Sequence, residues 1–294
     1  MWTGDARDTR PTAEVARAAQ ATSYTLSKFV TETMEVIVWQ PDGWAQTRIG
    51  VLTPERDVSP EAEFRTLAGT AISIHAARVR QKTYDPCESS QRTIANDRVR
   101  AFADPPIVDE AAESLAAAPL HAIAYCFTSS SYLRGAADDV ALKSRLEMRT
   151  RGIPVVISAS AAVAALAALG AHRLALVHPP WFSVELDQEG AKYFASQGFD
   201  VMQSGPAGLP SDQQAIEPRG LFDWVREHTP EKAEAVFIGG NGLRAIGVIK
   251  ALEESLNLPV LTGNQVAFWQ SLVLSGSSAP IANYGKIFSF ARPT

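Results

Sequence analysis

The chain has 294 residues, 46% of them hydrophobic and 20% charged, with 32 acidic against 27 basic side chains and a formal net charge of -5. That composition belongs to a folded protein large enough for one big domain or two small ones, and it excludes disorder and fibrous architectures. An acidic chain with no basic cluster is a poor fit to nucleic acid or an anionic membrane surface, because phosphate binding needs concentrated Lys and Arg.

The longest apolar run, Ala159 to Gly170, is too short to cross a bilayer. The first thirty residues carry scattered charges where a secretion signal has a continuous apolar core, so a cytoplasmic location is expected. The two cysteines, Cys87 and Cys126, exclude a disulfide framework and a Cys-based zinc site, and reduced thiols are expected.

In chain order, residues 1–45 read as an N-terminal arm, with an amphipathic stretch from Tyr24 to Val38 that ends in the turn Gln40-Pro41-Asp42-Gly43. From Arg48 onward, short Val- and Ile-rich runs alternate with segments of helical spacing, the pattern of βα units and a parallel sheet. Strands are expected at 48–52, 72–76, 121–126 and 153–157, with helices near 60–68, 106–117 and 134–150. An Ala-rich helix follows at 160–169. Strands then recur at 173–177, 199–203, 234–238 and 259–261, with helices near 183–197, 218–228 and 244–256, and a last helix near 265–275.

The same four-strand, three-helix order thus occurs twice. It implies an α/β fold of two similar domains, each with a four-stranded parallel sheet flanked by helices. The first would span 46–158 and be joined by the C-terminal segment 265–294, with Tyr284-Gly285-Lys286 returning to it. The second would span 159–264. Loops at the carboxyl ends of parallel strands gather on one edge, so the two edges would line a cleft that holds the function.

Four strand-to-helix loops carry the chemistry available there: Thr53-Pro54-Glu55-Arg56-Asp57, Thr128-Ser129-Ser130-Ser131, His178-Pro179-Pro180-Trp181 and Gly239-Gly240-Asn241-Gly242. Hydroxyl- or glycine-rich turns before a helix expose unpaired backbone N–H groups that suit a carboxylate or phosphate oxygen. The same residues also serve simply as helix caps and tight turns. The glycine loop lacks the lysine of a P-loop and the spacing of a dinucleotide motif, so no nucleotide cofactor is expected. The five histidines (75, 121, 172, 178 and 228) are isolated, which leaves no metal site. His75 lies on a strand and reads as a core or hydrogen-bonded histidine. No G-x-S-x-G elbow is present, although Ser129, Ser130 and Ser131 offer hydroxyls at a turn.

Collinear strings now become recognisable: Arg48-Ile-Gly-Val-Leu-Thr-Pro, Pro60-Glu-Ala-Glu-Phe, His75-Ala-Ala-Arg-Val, Ala122-Ile-Ala-Tyr with Thr128-Ser129, Gly242-Leu-Arg-Ala with Leu252-Glu, and Pro259-Val-Leu-Thr-Gly-Asn-Gln-Val. Over about residues 46 to 288 they resemble the maleate cis–trans isomerase and arylmalonate decarboxylase branch of the Asp/Glu racemase superfamily. The resemblance implies two α/β domains with the active site between them. It also implies departures. The family's two loop cysteines align with Phe127 and Gly240, its first-loop asparagine with Asp57, its third-loop tyrosine with Trp181, and a further asparagine with Gln213. Cys126, one residue early on a strand end, points to the opposite face and reads as a buried thiol.

Two readings follow. In the first, the chain is a cofactor-independent enzyme, an isomerase, lyase or hydrolase, that acts on a small carboxylic acid or cyclic carbonyl compound through a stabilised enolate or oxyanion. Thr128, Ser129, Ser130 and the Gly240, Asn241 and Gly242 amides would serve as donors. Asp57, Glu55 or Tyr125 would transfer protons, and Phe127, Trp181 and Gln213 would contact substrate. In the second, the scaffold is a non-catalytic carboxylate binder or regulator. A racemase dependent on Cys126 is the third and weakest reading. A small carboxylate is the expected partner, and association of identical copies is compatible with all three.

Overall fold

The computed structural model describes Trp44, residues 46–80 and residues 93–289. The N-terminal arm apart from Trp44, and Cys87, lie outside the described residues.

The first half runs β1 (Thr47–Pro54), α1 (Ser59–Ala68), β2 (Ile72–Val79), α2 (Asn96–Ala101), α3 (Ile107–Leu115), β3 (Ala122–Tyr125), α4 (Thr128–Arg134), α5 (Ala136–Arg149), β4 (Val155–Ile157) and α6 (Ser158–Ala168). The second runs β5 (Arg173–His178), α7 (Val184–Ser196), β6 (Asp200–Pro206), α8 (Pro218–His228), β7 (Ala235–Ile238), α9 (Ile249–Leu256), β8 (Val260–Thr262) and α10 (Gly263–Leu274). The sheets are four-stranded, ordered β2-β1-β3-β4 and β6-β5-β7-β8, and every pairing is parallel. The duplicated α/β architecture expected from the repeating pattern is present.

Burial explains why these segments become strands. The interior strands β3 (AIAY) and β7 (AVFI) are buried at every position, so both faces need apolar side chains and the sequence shows continuous runs in place of alternation. At Gly50 in β1, a Cβ would sit 2.8 Å from both Leu115 Cδ2 and Leu120 Cδ1, so the missing side chain lets these leucines pack directly on the sheet.

Three elements depart from the expected order. The short helices α2 and α4 were not anticipated. In α4 the Thr-Ser-Ser-Ser run that reads as a polar loop is wholly buried, its hydroxyls facing protein. The helix expected from 244 begins instead with a 3-10 turn, Ile246–Val248. Its leading amides are drawn elsewhere, since Ala245 N and Ile246 N both donate to the Glu63 carboxylate.

Helix α10 opens with a capping box in which Thr262 and Gln265 each satisfy the other's backbone amide. It packs on α1, α6 and β3 of the first half, where Phe268 meets Phe64 edge-on at a centroid distance of 5.4 Å. The segment expected to return to the first half is held by α9 and α10: Lys286 N donates to Glu253 at 3.0 Å, and Gln265 Nε2 donates to Tyr284 O at 2.6 Å. Among the described residues, no helix is long and apolar enough to cross a membrane.

Phe64 is fully buried where α1 meets α10, whereas Val140 is 66% exposed. Phe64→Ala is expected to cost about 3–5 kcal/mol in urea unfolding, against roughly 0.5 kcal/mol or less for Val140→Ala. Equal costs would contradict this packing.

Candidate active site

The carboxyl ends of five parallel strands send their loops to one cavity of about 560 Å³. Arg56 and Asp57 follow β1, Phe127 and Ser129 follow β3, Trp181 and Phe182 follow β5, Asp212 and Gln213 follow β6, and Gly240, Asn241 and Gly242 follow β7.

Two of these loops hold each other. Thr128 N donates to Asn241 Oδ1 at 2.9 Å, and Gly240 N donates back to Thr128 Oγ1 at 3.0 Å. Asn241 is fixed in turn: its Nδ2 donates to Asn264 Oδ1 at 2.8 Å and to Ser158 Oγ at 3.2 Å, and its carbonyl accepts from Asn264 Nδ2 at 2.8 Å. Behind Asn264 stands Glu63 of α1. Glu63 Oε2 accepts from Asn264 Nδ2 at 2.8 Å, and Oε1 accepts from Ala245 N at 2.7 Å and Ile246 N at 3.1 Å. A carboxylate from the first half therefore anchors the glycine loop of the second.

This arrangement decides which donors remain for a ligand. The Thr128 and Gly240 amides and the Thr128 hydroxyl are committed to the loop pair. The Asn241 and Gly242 amides and the Ser129 hydroxyl make no hydrogen bond to another described residue, and all three residues line the cavity. Thr128, Ser130 and Tyr125 lie behind the wall. Tyr125 is fully buried with its hydroxyl 2.8 Å from Ser130 Oγ, and burial pushes that hydroxyl above its usual range. Ser130 also donates to Phe127 O at 3.0 Å.

Asp57 faces the glycine loop. Its Oδ1 accepts from Ser59 N at 3.0 Å and from Gln213 Nε2 at 2.9 Å. Its Oδ2 points toward Gly242, where a Cβ would lie 2.9 Å away. Burial raises the carboxyl above the ordinary range, outweighing the hydrogen bonds from Gln213 and Ser59 and the nearby charge of Arg78. Cys126 is fully buried and free, and burial pushes its thiol up despite a contact with Ser158. Gly240 has φ +80°, and a Cβ there would overlap the Pro179 ring. The open volume the sequence suggested at Gly240 is thus filled by proline.

Several site residues carried no signal in the sequence. Phe182 and Asp212 line the cavity from segments without a motif. Glu63 and Asn264 fall inside the strings quoted above, yet nothing local marks them as partners, because they are 201 residues apart. His178 ends β5 fully buried, its Nδ1 2.6 Å from Asp187 Oδ1 and its ring stacked on Phe182 at 5.3 Å. His75 is exposed on β2, its Nε2 3.0 Å from Ser73 Oγ. Among the described residues, no group of three His, Cys, Asp or Glu side chains could hold a metal ion.

Burial lifts the Glu63 carboxyl from an ordinary 4.5 to about 7, against the hydrogen bonds from Asn264, Ile246 and Ala245. A raised folded-state value stabilises the fold fully below about 4.5 and is lost as pH rises through about 7. The melting temperature should therefore fall across that window, and Glu63→Gln should flatten the slope. A melting temperature that climbs across it would contradict the assignment.

The arylmalonate decarboxylase family matches residues 100–288. The arylmalonate decarboxylase of Bordetella bronchiseptica is 26% identical over 167 residues, 55% of this chain and 68% of that one. The maleate isomerase of Geobacillus stearothermophilus is 21% identical over 257 residues, 82% of this chain and 97% of that one. In three dimensions, a crystal structure of the maleate isomerase Iso from Pseudomonas putida S16 with maleate superposes with a TM-score of 0.73 at 18% identity, covering 83% of this chain and 98% of the other. The family match spans more than half of the residues, and the chain belongs to the arylmalonate decarboxylase family.

Proposed function

We propose that this protein is an enzyme that isomerises or decarboxylates a small carboxylic acid through a stabilised enolate or oxyanion, without a catalytic thiol. The observation that carries this reading is the opposition of two sets of groups across the cavity. The Ser129 hydroxyl and the Asn241 and Gly242 amides are unspent donors on one side, and the Asp57 carboxyl stands on the other.

Donors held rigidly by the Thr128–Asn241 pair need no reorganisation as negative charge develops on a substrate oxygen, the condition under which such contacts stabilise a transition state most. Asp57 is the group placed to move a proton. Its Oδ1 is tethered, its Oδ2 faces the cleft, and its raised pKa brings it nearer to a useful working range. Phe127, Trp181 and Phe182 bury an apolar part of the substrate and exclude water from the reacting centre. Cys126 is excluded as nucleophile or base in this reading, because it has no exposed surface and its thiol is held neutral by burial.

The test is turnover of the full chain with arylmalonates, maleate and small monocarboxylates, followed by proton NMR in deuterated water to detect products and α-deuterium incorporation. Asp57→Asn should lower turnover by about 100-fold or more while ligand-induced thermal stabilisation persists. Cys126→Ala should keep full activity. Loss of activity in a folded Cys126→Ala protein would restore a thiol mechanism, and stabilisation by ligands with neither turnover nor exchange would make the protein a carboxylate binder.

A further inference from the structure

We propose that the cleft selects a half-amide, a monocarboxylate that also carries an amide N–H, over the corresponding dicarboxylate. This rests on the reading above that the cavity takes a small carboxylate, and it specifies what the other end of that molecule must be.

The two polar walls differ in kind. On the glycine-loop side, the Asn241 and Gly242 amides and the Ser129 hydroxyl offer hydrogens and match a carboxylate. The opposite side offers acceptors. Asp57 Oδ1 already receives Ser59 N and Gln213 Nε2, which leaves Oδ2 toward the cavity. Gln213 Nε2 is committed to Asp57 and to the Gly242 carbonyl, so the atom of its amide left for a ligand is the carbonyl oxygen. Asp212, which lines the same side, spends one carboxylate oxygen on Gln214 N at 3.0 Å and adds further acceptor capacity and negative charge.

A second carboxylate placed there would meet three acceptors and two like charges, whereas a carboxamide would present two N–H donors to Asp57 Oδ2 and Gln213 Oε1. The walls converge at Gly242, where Asp57 Oδ2 lies 2.9 Å and Trp181 Cζ2 3.3 Å from the position of an added Cβ. The two ends of the ligand are therefore separated by a short carbon chain that lies against the aromatic side.

Isothermal titration of the full chain at pH 8 with maleamate against maleate, and succinamate against succinate, tests this directly. The half-amide should bind at least about tenfold more tightly in each pair, and Asp57→Asn, whose side chain adds donors, should bring the ratio to near unity. Asp57→Ser serves the same purpose should the Asn variant not fold. Equal or tighter binding of the diacids, or an unchanged preference in a folded Asp57 variant, would overturn the half-amide assignment while leaving the carboxylate-binding cleft intact. Failure of all four compounds to bind would overturn both.

Discussion

Thr128 and Asn241 exchange hydrogen bonds across the cleft, and most of what the site can do follows from that exchange. The Asn241 side chain takes the Thr128 amide, and the Thr128 side chain takes the Gly240 amide. Each loop caps the other, so the two sheets present their loops as one surface. The pairing also sorts the backbone donors into a structural set and a ligand-facing set. Thr128 and Gly240 belong to the first, and Asn241 and Gly242 to the second.

Holding that surface requires a buried negative charge. Glu63 gathers two amides of the segment after the glycine loop and one amide hydrogen of Asn264, which clamps Asn241. A buried carboxylate with so many donors is costly to desolvate, and only a full set of partners makes it tolerable. The hydrogen bonds also displace the start of the following helix, which begins as a 3-10 turn. The local irregularity after β7 thus has the same cause as the rigidity of the cleft.

Much of the fold was legible in the sequence because the duplicated βα pattern is written in continuous apolar runs such as Ala235–Ile238, which only a strand buried on both faces requires. The four loops that carry the site were legible for a related reason, as they follow those runs directly. What the sequence does not display is how their polar groups are spent. Thr128 and Ser130 look as available as Ser129, yet only Ser129 reaches the cavity, because the first turn of α4 buries the others. Gly240 looks like an open position, yet Pro179 occupies the space. Glu63 looks like one more surface acid on an amphipathic helix. Each distinction depends on contacts between residues 50 to 200 positions apart, which periodicity and turn chemistry do not encode.

Amide hydrogen exchange, measured residue by residue by NMR, probes the partition of donors most directly. In the free protein, the Thr128 and Gly240 amides should be protected, while the Asn241 and Gly242 amides exchange roughly 100-fold or more faster. Saturation with maleate or maleamate should slow exchange at Asn241 and Gly242 and leave Thr128 and Gly240 unchanged. Rapid exchange at Thr128 and Gly240, or protection at Asn241 and Gly242 that a bound carboxylate does not alter, would contradict the account.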